Sequence, residues 1–217
     1  VQTEIIDALS REALPRAVQV LSSGGLVAFP TDTVYGVGAL PWSPEAVSRL
    51  YEVKERPRLR AVPLLLAGPD HVEGIAVIPG HIESAFRRLA TRFWPGGLTL
   101  VVLKTARVIE EVSRGPTVAL RVPGPALTRE LIEAAGGALA VTSANISGQP
   151  SPVAAQEVGD QLGGRIELIL DGGACPGGVP STLLDLTVQP PHIIRHGIVS
   201  DEDLCETLGQ TGPCPRR

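Results

Sequence analysis

Apolar and polar positions alternate in blocks along the chain, and each block has the spacing of one element. Residues 11–22 carry apolar side chains at helical intervals and close on Gly24-Gly25, a C-cap signal. The run Leu26-Val27-Ala28-Phe29 then reads as a short buried strand. Ser43-Pro44 pairs an N-cap residue with proline at the first helical position. The helix it opens carries Ala46, Val47, Leu50 and Tyr51 on one side. Residues 62–66 (VPLLL) read as a strand, and Ile82, Ala85, Phe86, Leu89, Ala90 and Phe93 trace one face of an amphipathic helix. Strands are predicted at 98–103, 117–122, 138–142, 166–170, 182–187 and 192–195. Helices are predicted at 125–135 and 153–162, with a last one capped by Ser200 or Asp201.

This alternation predicts an α/β fold. Continuous apolar strands need cover on both sides, so the expectation is a twisted mixed sheet with helices on both faces. No repeat or long linker divides the chain. Residues 1–210 are read as one domain and 211–217 as a disordered tail.

Charge narrows the function classes. The 217 residues hold 19 Lys+Arg against 23 Asp+Glu, a net charge of −4, whereas a chain built to coat nucleic acid runs the other way. Any anion site must therefore be local. Hydrophobic residues make up 43% and aromatics 3%, which predicts a core of Leu, Val, Ile and Ala and argues against a disordered chain, a coiled coil or a membrane span. Cys175, Cys205 and Cys214 lack C-x-x-C spacing and fit a reduced context. There is no H-E-x-x-H, and His192 and His196 stand about 13 Å apart in an extended chain, so no protein-ligated metal is expected. The amino-terminal stretch, with Glu4, Asp7 and Glu12, reads as neither a secretory signal nor a transit peptide. The sequence contains no methionine, so the start at Val1 reads as processed or as a non-AUG codon. The expected compartment is the cytoplasm.

The candidate chemistry sits in polar segments at strand ends, where ligands of α/β sheets gather. Pro30-Thr31-Asp32-Thr33-Val34-Tyr35-Gly36-Val37-Gly38 offers hydroxyls, a carboxylate and a phenol beside glycines; it is either a ligand loop or a strand-ending turn. Lys54-Glu55-Arg56-Pro57-Arg58-Leu59-Arg60 has a local charge of +3. In an extended chain residues 54, 56, 58 and 60 share one face, a comb able to grip a triphosphate, unless the run is merely solvated. Thr117 to Pro123 places Arg121 inside an apolar strand, as a carboxylate receptor or one half of a buried salt bridge. Thr142-Ser143-Ala144-Asn145-Ile146-Ser147-Gly148 suits an anion cradle or the cap of a turn. Asp171-Gly172-Gly173, Gly177 to Thr182 and Ile194 to Gly197 read as glycine-rich connections or a loop over a ligand. Neither G-x-x-x-x-G-K-[ST] nor G-x-G-x-x-G occurs.

In order, PTDTVYGVG, KERP, FWPGGLTLVV, VALRVP, TSANISG, a DGG run, STLLDLT and IIRHG resemble the YrdC-like family of threonylcarbamoyl-AMP synthases over residues 10–208. The resemblance implies a reaction that joins L-threonine, bicarbonate and ATP into threonylcarbamoyl-AMP and pyrophosphate. The product would serve N6-threonylcarbamoylation of adenosine 37 in tRNA through a downstream tRNA threonylcarbamoyl transferase, with weak tRNA binding in reach and no membrane partner. By motif match, Thr33 and Arg121 would hold threonine, with Ser181, the backbone at Val141, and Thr31 and Tyr35 shaping the pocket. Lys54 and Arg56 are the catalytic candidates. Together with Ser143 and Arg195, and with Thr117, Asn145 and Ser151 as lesser nucleotide contacts, they would face ATP. Mg2+ would accompany ATP, held by phosphates and water.

The chain departs from the family pattern in four ways. It is about two residues longer between Arg56 and VPLLL, carries Ala67 where some members have histidine, has Gly97 in place of a frequent proline, and ends without the extra carboxy-terminal domain of longer members. Two other readings are a carbamoyl-transfer domain of the hydrogenase-maturation type and an RNA-binding module.

Overall fold

A computed structural model describes residues 1–209; the predicted disordered tail at 211–217 lies outside them. In chain order the strands and helices are β1 (Glu4–Asp7), α1 (Ala13–Ser22), β2 (Val27–Phe29), β3 (Gly36–Ala39), α2 (Pro44–Val53), β4 (Leu64–Leu66), β5 (Ala76–Val77), α3 (Gly80–Phe93) and β6 (Leu98–Lys104). They continue with β7 (Thr117–Arg121), α4 (Ala126–Ala134), β8 (Ala138–Ser143), α5 (Ala155–Leu162), β9 (Leu168–Asp171), β10 (Thr182–Asp185), β11 (His192–Arg195) and α6 (Asp201–Leu208). The caps are those the sequence pointed to. Ser43 Oγ accepts the Ala46 N–H at 3.2 Å, and Ser200 Oγ accepts the Asp203 N–H at 3.1 Å.

The strands form one mixed sheet in the order β1-β9-β2-β3-β8-β4-β7-β6-β10-β11, with β5 joined to the end of β6. The pairs β1–β9, β2–β9, β4–β7 and β6–β10 run parallel, and the other pairs antiparallel. Side chains alternate between two cores, as strand geometry requires. Ala28, Leu64, Leu98, Leu100 and Ala140 cluster with residues of α2, α3, α5 and α6, whereas Val27, Phe29, Leu65, Leu139 and Leu168 cluster with those of α1 and α4. Helices thus cover both faces. On the second face α1 and α4 pack against β2, β9, β4 and β8, and a cavity opens on the continuation of that face over β7, β6, β10 and β11.

Two strands escape the sequence pattern. β3 falls in the segment read as a polar loop, yet it is an inner strand between β2 and β8. Its glycines are there for space: a Cβ on Gly36 would stand 2.8 Å from Val141 Cγ1, and one on Gly38 3.0 Å from Phe29 Cε1. β1 is an edge strand that buries only Ile6 of its four residues, too little to register as a pattern.

Cys175 is buried and free, whereas Cys205 is disulfide-bonded, which corrects the expectation of reduced cysteines throughout. No described helix is long and apolar enough to cross a membrane.

Candidate active site

Six side chains on one sheet face make the floor of a cavity of about 250 Å³. They are Leu65 (β4), Thr99 (β6), Arg121 (β7), Val141 (β8), Leu183 (β10) and Arg195 (β11). Strand register lines them up: Leu65 lies opposite Arg121, Leu183 opposite Thr99, and Arg195 opposite Leu183. The loops at the strand ends supply the walls. Thr31, Thr33 and Tyr35 come from the β2–β3 connection, Arg56, Ala61 and Pro63 from that after α2, Ser143 and Ser151 from around the end of β8, and Pro180 and Ser181 from before β10.

Arg121 is the most enclosed charge in the cavity lining, its side chain only 7% exposed. Its Nε–H donates to the Gly96 main-chain oxygen (2.8 Å), Nη1 to Thr33 Oγ1 (3.0 Å) and Nη2 to Asp32 Oδ1 (2.7 Å). A guanidinium has five N–H groups, so one on each Nη is left for a ligand. The salt-bridge reading of this arginine holds, with Asp32 as the partner, and the side chain also lines the cavity. Thr31 Oγ1 donates to the Val34 main-chain oxygen (2.7 Å) and lies 2.9 Å from Thr33 Oγ1, so the Thr33 hydroxyl donates to Thr31. Toward the cavity Thr33 can then act only as an acceptor.

Two further arginines, Arg195 and Arg56, line the same cavity. Arg195 donates to the Ser181 main-chain oxygen (2.9 and 3.1 Å) and to Ser181 Oγ (3.1 Å), which also meets Thr99 Oγ1 at 2.8 Å. Arg56 donates to the main-chain oxygens of Arg60 (3.4 Å) and Ala61 (2.9 Å). Neither forms an ion pair with a carboxylate among the described residues, and no carboxylate lines the cavity. Burial lowers the pKa of both, with Arg60 and Arg195 adding to the effect at Arg56 (Tyr51 opposes it) and Arg121 adding to it at Arg195. Arg195 thus stands close enough to both Arg56 and Arg121 to couple their charges, and the cavity lining is cationic.

The extended cationic comb does not form. Glu55 adopts a left-handed conformation (φ 53°) and the Arg56 N–H returns to the Tyr51 oxygen at 2.8 Å, which closes α2 and redirects the chain. Of the four basic side chains only Arg56 reaches the cavity. Arg58 turns outward to Glu52 (3.1 Å) and Arg60 is exposed. Lys54, 1% exposed, lies behind the wall and donates through Nζ to the main-chain oxygens of Ser143 and Asn145. Burial, and secondly Arg56, lowers its pKa to about 7.

Asn145 also sits behind the wall, its amide donating to the Ile146 (2.8 Å) and Gln149 (2.7 Å) oxygens. Thr117 does not join the site; it is four residues before Arg121 on β7, about 13 Å along the strand. The Tyr35 hydroxyl points away, to the Gly173 oxygen (2.8 Å), and burial raises its pKa to about 12. It pins the glycine-rich loop rather than a ligand. Sequence reading missed Thr99, although a hydroxyl inside the apolar run LTLVVL is the same kind of signal that marked Arg121.

Gly97 matters for packing. A Cβ there would stand 2.1 Å from Ile198 Cγ2, while the Gly97 oxygen accepts the Thr182 N–H at 3.0 Å. Gly97→Ala is expected to cost about 1–3 kcal/mol through overpacking, and adding Ile198→Ala to recover at least half of it. Thermal denaturation checks both; a double variant as unstable as the single one would place the fault elsewhere.

The Sua5/YciO/YrdC family model, described as "Telomere recombination", matches residues 19–197. The chain belongs to this family. A threonylcarbamoyl-AMP synthase of Pyrococcus abyssi is 40% identical over 195 residues, 89% of this chain and 56% of that protein. A putative threonylcarbamoyl-AMP synthase of Mycobacterium tuberculosis is 37% identical over 212 residues, 95% of this chain and 96% of that one. Among solved structures, P. abyssi Sua5 complexed with L-threonine superposes with a TM-score of 0.87 at 39% identity, covering 96% of this chain and 60% of that one. This member of the Sua5/YciO/YrdC family thus spans little more than half the length of its archaeal relative and nearly all of the mycobacterial one.

Proposed function

We propose that the chain is a threonylcarbamoyl-AMP synthase. The observation that carries this reading is the cavity's charge: three arginines, no lining carboxylate, and one arginine already held in place beside Thr33. The reaction handles an amino-acid carboxylate and a triphosphate together, which matches two cationic poles facing one cavity. It also matches the ligand of the P. abyssi structure.

In this reading Arg121 takes the threonine carboxylate with its two remaining N–H groups. The amine donates to Thr33 Oγ1, and Ser181 and the Val141 backbone bound the same subsite. The amine adds to bicarbonate with loss of water, giving a carbamate. A carbamate oxygen then attacks the α-phosphorus of ATP, and the bond to the bridging oxygen breaks as pyrophosphate leaves. Arg56, Arg195 and Ser143 hold the phosphates, with Ser151 on the nucleotide side, and Lys54 and Asn145 shape the wall from behind. No protein nucleophile is needed, so rate comes from positioning and charge stabilisation. No carboxylate lines the cavity, so Mg2+ arriving with ATP would be held by phosphate oxygens and water rather than by side chains and would supply neutralisation of phosphate charge. The product is a reactive mixed anhydride, consumed by a tRNA threonylcarbamoyl transferase.

Pyrophosphate release by the purified chain, with Mg2+, is expected to require ATP, L-threonine and bicarbonate together. Release that ignores threonine, or none from folded protein, overturns the reading; salt-dependent RNA binding without turnover would favour an RNA-binding module instead.

A further inference from the structure

Asp32 lies outside the cavity lining, yet it joins two segments that build the threonine side. Its Oδ1 accepts both Arg121 Nη2–H (2.7 Å) and the Gly124 N–H (2.8 Å). The first bond ties the β2–β3 connection to β7, and the second ties it to the turn after β7. The fit is close: a Cβ on Gly124 would stand 3.0 Å from Asp32 Cβ and 3.1 Å from Cγ. Arg121 Nε is held at Gly96 and Nη1 at Thr33, so Asp32 supplies the third point that fixes the plane of the guanidinium.

We propose that Asp32 is a positioning residue that aims the two free N–H groups of Arg121 into the cavity and so sets affinity for the amino-acid carboxylate without touching it. This rests on the reading of Arg121 as the carboxylate receptor. A carboxylate beside a receptor for another carboxylate has two opposed effects. It repels the incoming anion, and it holds the cation that receives it. In this geometry holding outweighs repulsion. Arg121 is almost fully enclosed, and an arginine released from one of three fixed points misaligns a bidentate contact that depends on orientation.

The test is steady-state pyrophosphate release by the full chain, varying threonine at saturating ATP and the reverse, for wild type, Asp32→Asn and Asp32→Ala. Asp32→Asn keeps an oxygen for Gly124 and Arg121 but removes the charge, and it carries the test where Asp32→Ala does not fold. The threonine KM is expected to rise about tenfold in Asp32→Asn and further in Asp32→Ala. The ATP KM and kcat stay within about twofold, a split that general loosening of the fold does not produce. A threonine KM that is unchanged or lower in Asp32→Asn, or equal rises in both KM values, overturns the proposal while wild-type turnover stands. A folded wild type without threonine-dependent turnover overturns the functional reading itself, and the proposal with it.

Discussion

Replacing Arg56 with alanine is expected to slow ATP-dependent pyrophosphate release 10- to 100-fold. Arg56 is the only member of the 54–60 charge run whose side chain lines the cavity, and it has no carboxylate partner to neutralise it. Each charge-assisted hydrogen bond to a phosphate contributes about 1.5–3 kcal/mol, and about 1.4 kcal/mol is a factor of ten in rate. The loop oxygens of Arg60 and Ala61 that orient the guanidinium face solvent or stay near it, so the variant should melt close to wild type. Arg58→Ala is the matched control. Its guanidinium pairs with Glu52 on the helix side, with both side chains about half exposed or more, and such surface pairs contribute at most about 1 kcal/mol. Turnover within twofold of wild type is expected. Equal losses in the two variants would mean that the whole run binds phosphate as an extended comb; no loss in Arg56→Ala would remove the phosphates from this pole.

That contrast shows where the sequence was readable. Apolar runs and helical spacing located α1 to α6 and the inner strands other than β3 because burial imposes those periods locally. Arg121 was conspicuous because an arginine in an apolar strand has no cheap way to exist. The order of the sheet was out of reach, since β9 pairing between β1 and β2 depends on contacts over 140 residues away in sequence. β3 was hidden because two of its four residues are glycines, chosen to let Phe29 and Val141 pack rather than to favour a strand. The comb failed on a single dihedral: the left-handed turn at Glu55, a residue type that seldom adopts it, sends Lys54, Arg56 and Arg58 in three directions. Motif order placed ten of the thirteen site candidates on one cavity. It could not separate those that face it from Lys54 and Asn145, which lie behind, because both groups share the same loops.

Lys54 is where this distinction has its largest consequence. Its ammonium stem is fully enclosed, and Nζ donates to the oxygens of Ser143 and Asn145, while its own main-chain oxygen accepts the Ser147 N–H at 2.8 Å. The residue therefore holds the whole turn that carries Ser143 to the cavity. Lys54→Met fills nearly the same volume but leaves two buried carbonyls without a donor, at about 1–3 kcal/mol each. Removing a costly buried charge offsets part of this. A net loss of about 2–4 kcal/mol is expected, with turnover down about 100-fold or more through the displaced turn and the threonine KM little changed. The pH dependence separates this from damage of any other kind. The folded pKa of about 7 lies below the ordinary lysine value of 10.5. Between those values the unfolded chain holds a proton that the folded chain has released, so wild-type stability gains with rising pH; below about 7 both states are protonated and the contribution is flat. Methionine does not titrate. The stability gap between wild type and Lys54→Met should widen from pH 7 toward 10, by up to about 1.4 kcal/mol per unit, because the neutral amine keeps two N–H donors for its two carbonyls at no charge-burial cost. Denaturant unfolding of both proteins at pH 6, 7, 8 and 9 measures it. A gap that is constant or narrows over that range would mean that Lys54 stays charged in the fold, held by the oxygens around it, and is available as a cation to the phosphates after all.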